Sequence, residues 1–223
     1  MEIDTPHGPA RAEILPGSAH TLVLGHGAGG GTRAPDLQAT SAVAQGLGWS
    51  VALVEQPYRV AGRRAPAPAA QLDAAWLAVL AALRDKDVIG TGLLVVGGRS
   101  SGARVACRTA DDGGAAAVLC LAFPLHPPGR ANDPAKSRLP ELEAVRVPVL
   151  VVQGVSDPFG VPPDAAGREV ARLRGNHSLR SDMPGLRTAV ASWLPTLSPL
   201  STTRRPPAFK DVRPDRARGS KRR

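Results

Sequence analysis

Five short apolar runs recur along the chain, TLVLGHG, WSVALVEQP, GLLVVGGRS, AAAVLCLAFP and VPVLVVQGVSD, and each breaks off at Gly, Pro, Ser or Asp. Runs that stay apolar without alternating suit strands buried on both faces, the condition of a parallel sheet covered by helices. Between them DLQATSAVAQGLG, PAAQLDAAWLAVLAALRD and SGARVACRTADD read as helices, as does PGLRTAVASWLPTL near the end. Strands and helices therefore alternate, which predicts an α/β architecture with a mostly parallel sheet of about six strands flanked by helices. Asp36, after Pro35, is a candidate N-cap, and Asp85 lies near a helix C-terminus. In such sheets catalytic and ligand-binding residues gather at the carboxyl ends of the strands.

One strand end carries a recognisable pattern. After GLLVV, Gly98-Arg99-Ser100-Ser101-Gly102 fits the G-x-S-x-G nucleophile elbow. The elbow needs small residues on both sides, because its serine sits in a strained strand-to-helix turn where flanking side chains would collide. Only Ser100 has glycines at both offsets, so the N–H of Ser101, at the start of the next helix, is the expected oxyanion donor. A nucleophilic serine needs a base, and the base an orienting carboxylate. Asp157 follows the strand VPVLVVQG, and His177 falls in a loop before the last helix. The resulting order Ser100, Asp157, His177 is that of the α/β-hydrolase fold.

The segment LVLGHGAGGG admits two readings. Gly25-x-Gly27-x-x-Gly30 after a strand fits a dinucleotide-binding fingerprint, and Glu55 at the end of the second strand stands near where a ribose-binding acid belongs. Pro35 opposes that reading, since it would fall inside the helix that such a motif opens and remove one of its hydrogen bonds. The alternative is an oxyanion loop in which the N–H of Ala28 or Gly29 faces that of Ser101. His26 would then order the turn or line the substrate site. Tyr58, Arg59 and Arg63, in EQPYRVAGRR, are candidates for receiving a substrate carboxylate or phosphate.

The motifs taken together resemble a small α/β-hydrolase, similar to the dienelactone-hydrolase-like members without a large lid. FPLHPPGR, VVQGVSDPFG and GNHSL further resemble a compact branch that includes a subunit of a eukaryotic histone-acetyltransferase complex. The resemblance runs from about Thr21 to Leu197. It implies Ser100 as nucleophile, Asp157 and His177 as its partners, and the turn from His26 to Gly29 as a wall of the oxyanion hole. It also implies a short segment at PLHPPGR where larger relatives insert a cap, with His126 packing that loop. The cysteine nucleophile of dienelactone hydrolases proper is missing, so their substrate does not carry over. The acetyltransferase relative implies a second possibility, a non-catalytic binding module.

Length and charge set the remaining expectations. The 223 residues suit one domain, over residues 1–200. The net charge of +9 is concentrated from Ser201 onward, where nine Lys/Arg meet two Asp; the first 200 residues carry 19 basic and 17 acidic groups, a net of +2. Rich in Pro and Arg and without apolar periodicity, residues 201–223 are expected to be a disordered basic tail, a possible contact for nucleic acid or an acidic partner. Cys107 and Cys120 lack metal-ligand or redox spacing, no apolar run can span a bilayer, and no signal segment is visible. The reading is a cytoplasmic serine hydrolase for a small-molecule acyl substrate, with no cofactor, metal or membrane.

Overall fold

The computed structural model describes residues 1–197; the predicted basic tail, residues 201–223, lies outside them. Eight strands form one sheet in the order β1-β2-β4-β3-β5-β6-β7-β8. They are β1 (Glu2–Ile3), β2 (Ala10–Leu15), β3 (Thr21–Gly25), β4 (Ser50–Glu55), β5 (Leu94–Arg99), β6 (Ala117–Leu121), β7 (Val149–Gly154) and β8 (Arg168–Leu173). From β4 across to β8 every neighbouring pair is parallel, whereas β1 and β2 join antiparallel at one edge. Sequence reading anticipated the five central strands. It passed over β2 and β8, whose charged residues break up their apolar patterns, and the two-residue β1.

The helices are α1 (Pro35–Gly46), α2 (Pro57–Val60), α3 (Ala69–Asp85), α4 (Ser101–Thr109), α5 (Leu139–Glu143) and α6 (Met183–Trp193). Successive residues of the central strands point to opposite faces. Val23, Ala52, Val54, Val96, Val118, Cys120 and Val151 join one core with Trp76 and Leu80 of α3 and Ala103 and Ala106 of α4. Leu22, Leu24, Leu53, Val95, Leu119 and Leu150 join the other with Leu37 of α1 and Leu186 and Val190 of α6. Both faces are thus covered, which is why these strands lack alternation. Along α3 the buried residues Leu72, Ala75, Trp76, Val79, Leu80 and Leu83 recur at helical spacing and fix the face it presents to the sheet. No large cap interrupts the fold: between β6 and β7 the chain forms only a short 3-10 turn and the five-residue α5. Among the described residues no helix is long and apolar enough to cross a membrane.

The carboxyl edge of the sheet is closed by a tight crossing. A Cβ on Gly98 would come within 2.4 Å of the Gly25 carbonyl oxygen, and a Cβ on Gly102 within 2.5 Å of the same atom. β3, β5 and α4 therefore approach more closely at this point than any larger residue allows. Gly102→Ala is expected to lower stability by about 1–3 kcal/mol through overpacking; urea unfolding measures it, and a wild-type midpoint would contradict this view of the crossing.

Candidate active site

Three strand ends bring Ser100, Asp157 and His177 together. Ser100 leaves β5 with φ +51°, a region that costs a non-glycine residue on the order of 1–3 kcal/mol and is held by the surrounding structure. Its Oγ lies 3.0 Å from His177 Nε2, and His177 Nδ1 lies 2.7 Å from Asp157 Oδ2. The Asp157 carboxylate is fully buried, and the imidazole retains limited exposure. The Phe159 ring packs against His177 at a centroid distance of 4.3 Å, tilted by 37°.

Asp157 is itself held from two sides. Its Oδ1 accepts the Phe159 N–H at 2.8 Å, and its Oδ2 accepts Gln153 Nε2 at 2.7 Å. The Gln153 amide also faces the carbonyls of Phe123 and Gly160, at 3.2 and 2.9 Å. All three neighbours are acceptors, so the NH2 group must face them. Sequence reading missed Gln153, although a lone amide at the end of the apolar run VLVVQ was the available signal. It also missed Arg99, the variable residue of the elbow. Arg99 Nε donates to Asp36 Oδ2 at 2.8 Å and its Nη2 to the carbonyl of His177 at 3.1 Å, tying α1, the elbow and the histidine loop together. Asp36 is consequently not the N-cap. Ala34 takes that position and Pro35 begins the helix, so the buried Asp36 sits in the first turn with Oδ1 accepting the Leu37 N–H. Burial pushes the Asp36 carboxyl above its ordinary range, against the opposing pull of Arg99.

The turn after β3 passes directly beside Ser100: a Cβ on Gly27 would lie 3.6 Å from that of Ser100, whereas one on Gly29 would meet nothing within 4 Å. His26 and Tyr58, expected among the substrate contacts, brace this turn. His26 Nε2 accepts the Gln56 N–H at 3.0 Å, which requires the other ring nitrogen to carry the proton, and Nδ1 donates to the Gly27 carbonyl at 2.8 Å. The Tyr58 hydroxyl donates to the Ala28 carbonyl at 3.0 Å. Both side chains are buried, and both line a small recess with Ser101 and Gly102. The peptide unit is planar and trans. Fixing the Gly27 and Ala28 carbonyls therefore also aims the Ala28 and Gly29 N–H groups away from His26 and Tyr58. Arg59 and Arg63 are placed elsewhere: Arg59 Nη1 donates to the Arg63 carbonyl at 3.4 Å, and Arg63 lines a separate recess with His7, Gln71 and Leu72. His126 packs its loop, with Nδ1 against the Pro127 carbonyl at 2.9 Å.

The glycine-rich turn does not open a helix, since α1 starts only at Pro35. A phosphate at Gly25–Gly30 would lack the helix N-terminus on which the dinucleotide motif depends. Fold and strand order define an α/β-hydrolase. Residues 18–181 match the family described as alpha/beta hydrolase domain, and the chain belongs to that family. No curated protein matches the sequence. Among solved structures, an alpha-beta serine hydrolase homologue from Coxiella burnetii has a TM-score of 0.66 and 17% identity, over 86% of this chain and 95% of that one. A serine hydrolase without lid from Xanthomonas campestris has a TM-score of 0.68 and 20% identity, over 90% and 95% of the two chains. Est1E from Butyrivibrio proteoclasticus has a TM-score of 0.70 and 15% identity, over 88% and 98%.

Burial lowers the His26 pKa, outweighing its bond to the Gly27 carbonyl. A histidine kept neutral by folding contributes stability that is complete above the unfolded value of about 6.5 and is lost as pH falls toward the lower folded value. The thermal midpoint is therefore expected to drop on acidification below about pH 6.5, and less steeply in His26→Gln. Equal slopes in the two proteins would contradict this role for the ring.

Proposed function

We propose that the protein is a serine hydrolase that cleaves a small acyl substrate, an ester or thioester, through an acyl-enzyme. The observation that carries this reading is the continuous hydrogen-bonded line from Ser100 Oγ through His177 to the buried Asp157 carboxylate. Ser100 attacks the carbonyl while His177 Nε2 takes its proton, and Asp157 stabilises the resulting imidazolium and holds its tautomer. His177 then returns that proton to the leaving alkoxide or thiolate. In the second half, His177 removes a proton from water, hydroxide attacks the acyl carbon, and Ser100 leaves with the proton restored. The developing oxyanion is received by the Ser101 N–H, at the start of α4, and by a loop N–H. Because the loop meets Ser100 at Gly27, Ala28 is the favoured second donor over Gly29.

Phe159 covers one face of the imidazole, and Gln153 donates to Oδ2 of Asp157, the same carboxylate oxygen that His177 Nδ1 reaches. The segment between β6 and β7 carries only a 3-10 turn and a five-residue helix rather than a large cap, which leaves the serine open to solvent-borne esters of modest size. Cys107 and Cys120, buried side by side as free thiols with sulfurs at a hydrogen-bonding distance of 3.5 Å, suit a reducing compartment, which we take to be the cytoplasm.

Hydrolysis of a short-chain para-nitrophenyl ester tests the reading. Ser100→Ala is expected to reduce turnover by more than about a thousandfold with the fold intact; unchanged turnover would overturn the assignment. Gln153→Leu is expected to lower kcat by about tenfold to a hundredfold with little change in KM, since it loosens the carboxylate and not the substrate. An effect confined to KM would contradict the positioning role.

A further inference from the structure

Beside the proposed nucleophile lies a cleft of about 440 Å³, lined by Gly29, Gly30, Gly31, Arg33, Asp36, Arg99, Ser178 and Arg180 among others. That volume falls in the range of small-molecule sites, roughly 300–1,000 Å³. Arg99 immediately precedes Ser100 and Ser178 immediately follows His177, so the cleft begins where the reacting groups end. Its charge is one-sided. Asp36 is spent on Arg99 beneath the surface, with a side-chain exposure of 1%. Arg33 and Arg180 are left exposed at the rim. Arg33 has a loose neighbour in Glu13 at 3.9 Å, the arginine largely solvated and the glutamate partly so, and Glu55 Oε1 would lie 3.9 Å from a Cβ on Gly31. Of the three lining glycines, Gly29 and Gly31 give their N–H groups to no protein acceptor among the described residues, whereas the Gly30 N–H donates to the Gly27 carbonyl at 3.3 Å. Two exposed guanidinium groups on a cleft that also holds two uncommitted backbone N–H groups form an environment for an anion with several oxygens.

We propose that this cleft is an anion subsite, which takes a carboxylate or phosphate carried by the acyl substrate and holds it within a few bonds of the carbonyl attacked by Ser100. The inference rests on the hydrolase reading and deepens it: the preferred substrates are small anionic esters. It also moves the anion-recognising role from Arg59 and Arg63, which the sequence suggested, to Arg33 and Arg180 with Arg99 as the floor. Arg99 is already committed through two of its nitrogens, so discrimination falls to the two rim arginines.

The test compares two para-nitrophenyl esters of similar length, the half-ester of succinic acid and the neutral pentanoate. Wild-type kcat/KM is expected to favour the half-ester by about threefold to tenfold, and added salt is expected to reduce that advantage because the rim pairs are exposed. In the double variant Arg33→Gln, Arg180→Gln the ratio should fall toward one. No preference in the wild type, or a preference undiminished in the double variant, would overturn the proposal. A second arm does not need turnover: succinate is titrated calorimetrically into Ser100→Ala, with and without the two rim substitutions. Saturable binding that the substitutions weaken supports the subsite even if neither ester is cleaved, in which case the hydrolase reading alone fails. Absence of saturable binding overturns the subsite. Succinate binding without any preference for the half-ester would mean that the cleft holds a free anion, and would overturn its assignment to the substrate.

Discussion

The carbonyl oxygen of Gly25 is the point around which the carboxyl edge of the sheet is built. Gly98 from β5 and Gly102 from α4 both crowd it, so closely that neither position has room for a Cβ. That crossing forces the chain to turn sharply between strand and helix, and the turn puts Ser100 in a strained positive-φ conformation. A serine on a relaxed turn would lie along the sheet surface. Here its Oγ is carried to His177, and the first N–H of α4 has no protein acceptor among the described residues. The strain at Ser100 is offset by the packing of α4 against the sheet, where Ala103 and Ala106 are fully buried.

Around that point, buried polar groups convert loops into fixed parts. The loop after β7 is held through Asp157, which receives both Gln153 and the N–H of Phe159. The loop carrying His177 is held through its carbonyl by Arg99, and Arg99 is in turn anchored by Asp36 in α1. The turn after β3 is held from below by His26 and Tyr58. Each brace is a hydrogen bond in a poorly solvated setting, where leaving one partner unpaired costs about 1–3 kcal/mol. The loops of the proposed triad and oxyanion hole therefore enter the reaction already oriented, which is the condition under which electrostatic stabilisation of a transition state is effective.

The central strands were legible because burial on both faces leaves an unbroken apolar signature, and the elbow because its steric demand is written in two glycines at fixed offsets. β2 and β8 were not, since strands near or at the edge of the sheet mix exposed and buried residues over only six positions. Ser100, Asp157 and His177 could be named from their order at strand ends, and the structure brings those side chains within hydrogen-bonding distance. The bracing residues were hidden for a different reason. Asp36 after a proline looks like a helix cap, and nothing local shows that its partner is an arginine 63 positions away. Tyr58, Arg59 and Arg63 looked like substrate contacts because polar residues follow a strand end. Only the three-dimensional path of the chain shows Tyr58 turned inward to Ala28, and Arg33 and Arg180 gathered at one cleft.

The most direct measurement is covalent labelling of the folded protein with a fluorophosphonate, followed by peptide mass spectrometry. A serine activated by His177 gives a single phosphonyl adduct on the peptide containing Ser100, and that adduct is lost in His177→Ala with the circular dichroism spectrum unchanged. An unlabelled wild-type protein, or an adduct at another residue that persists in the His177 variant, would contradict the assignment of Ser100 as the nucleophile.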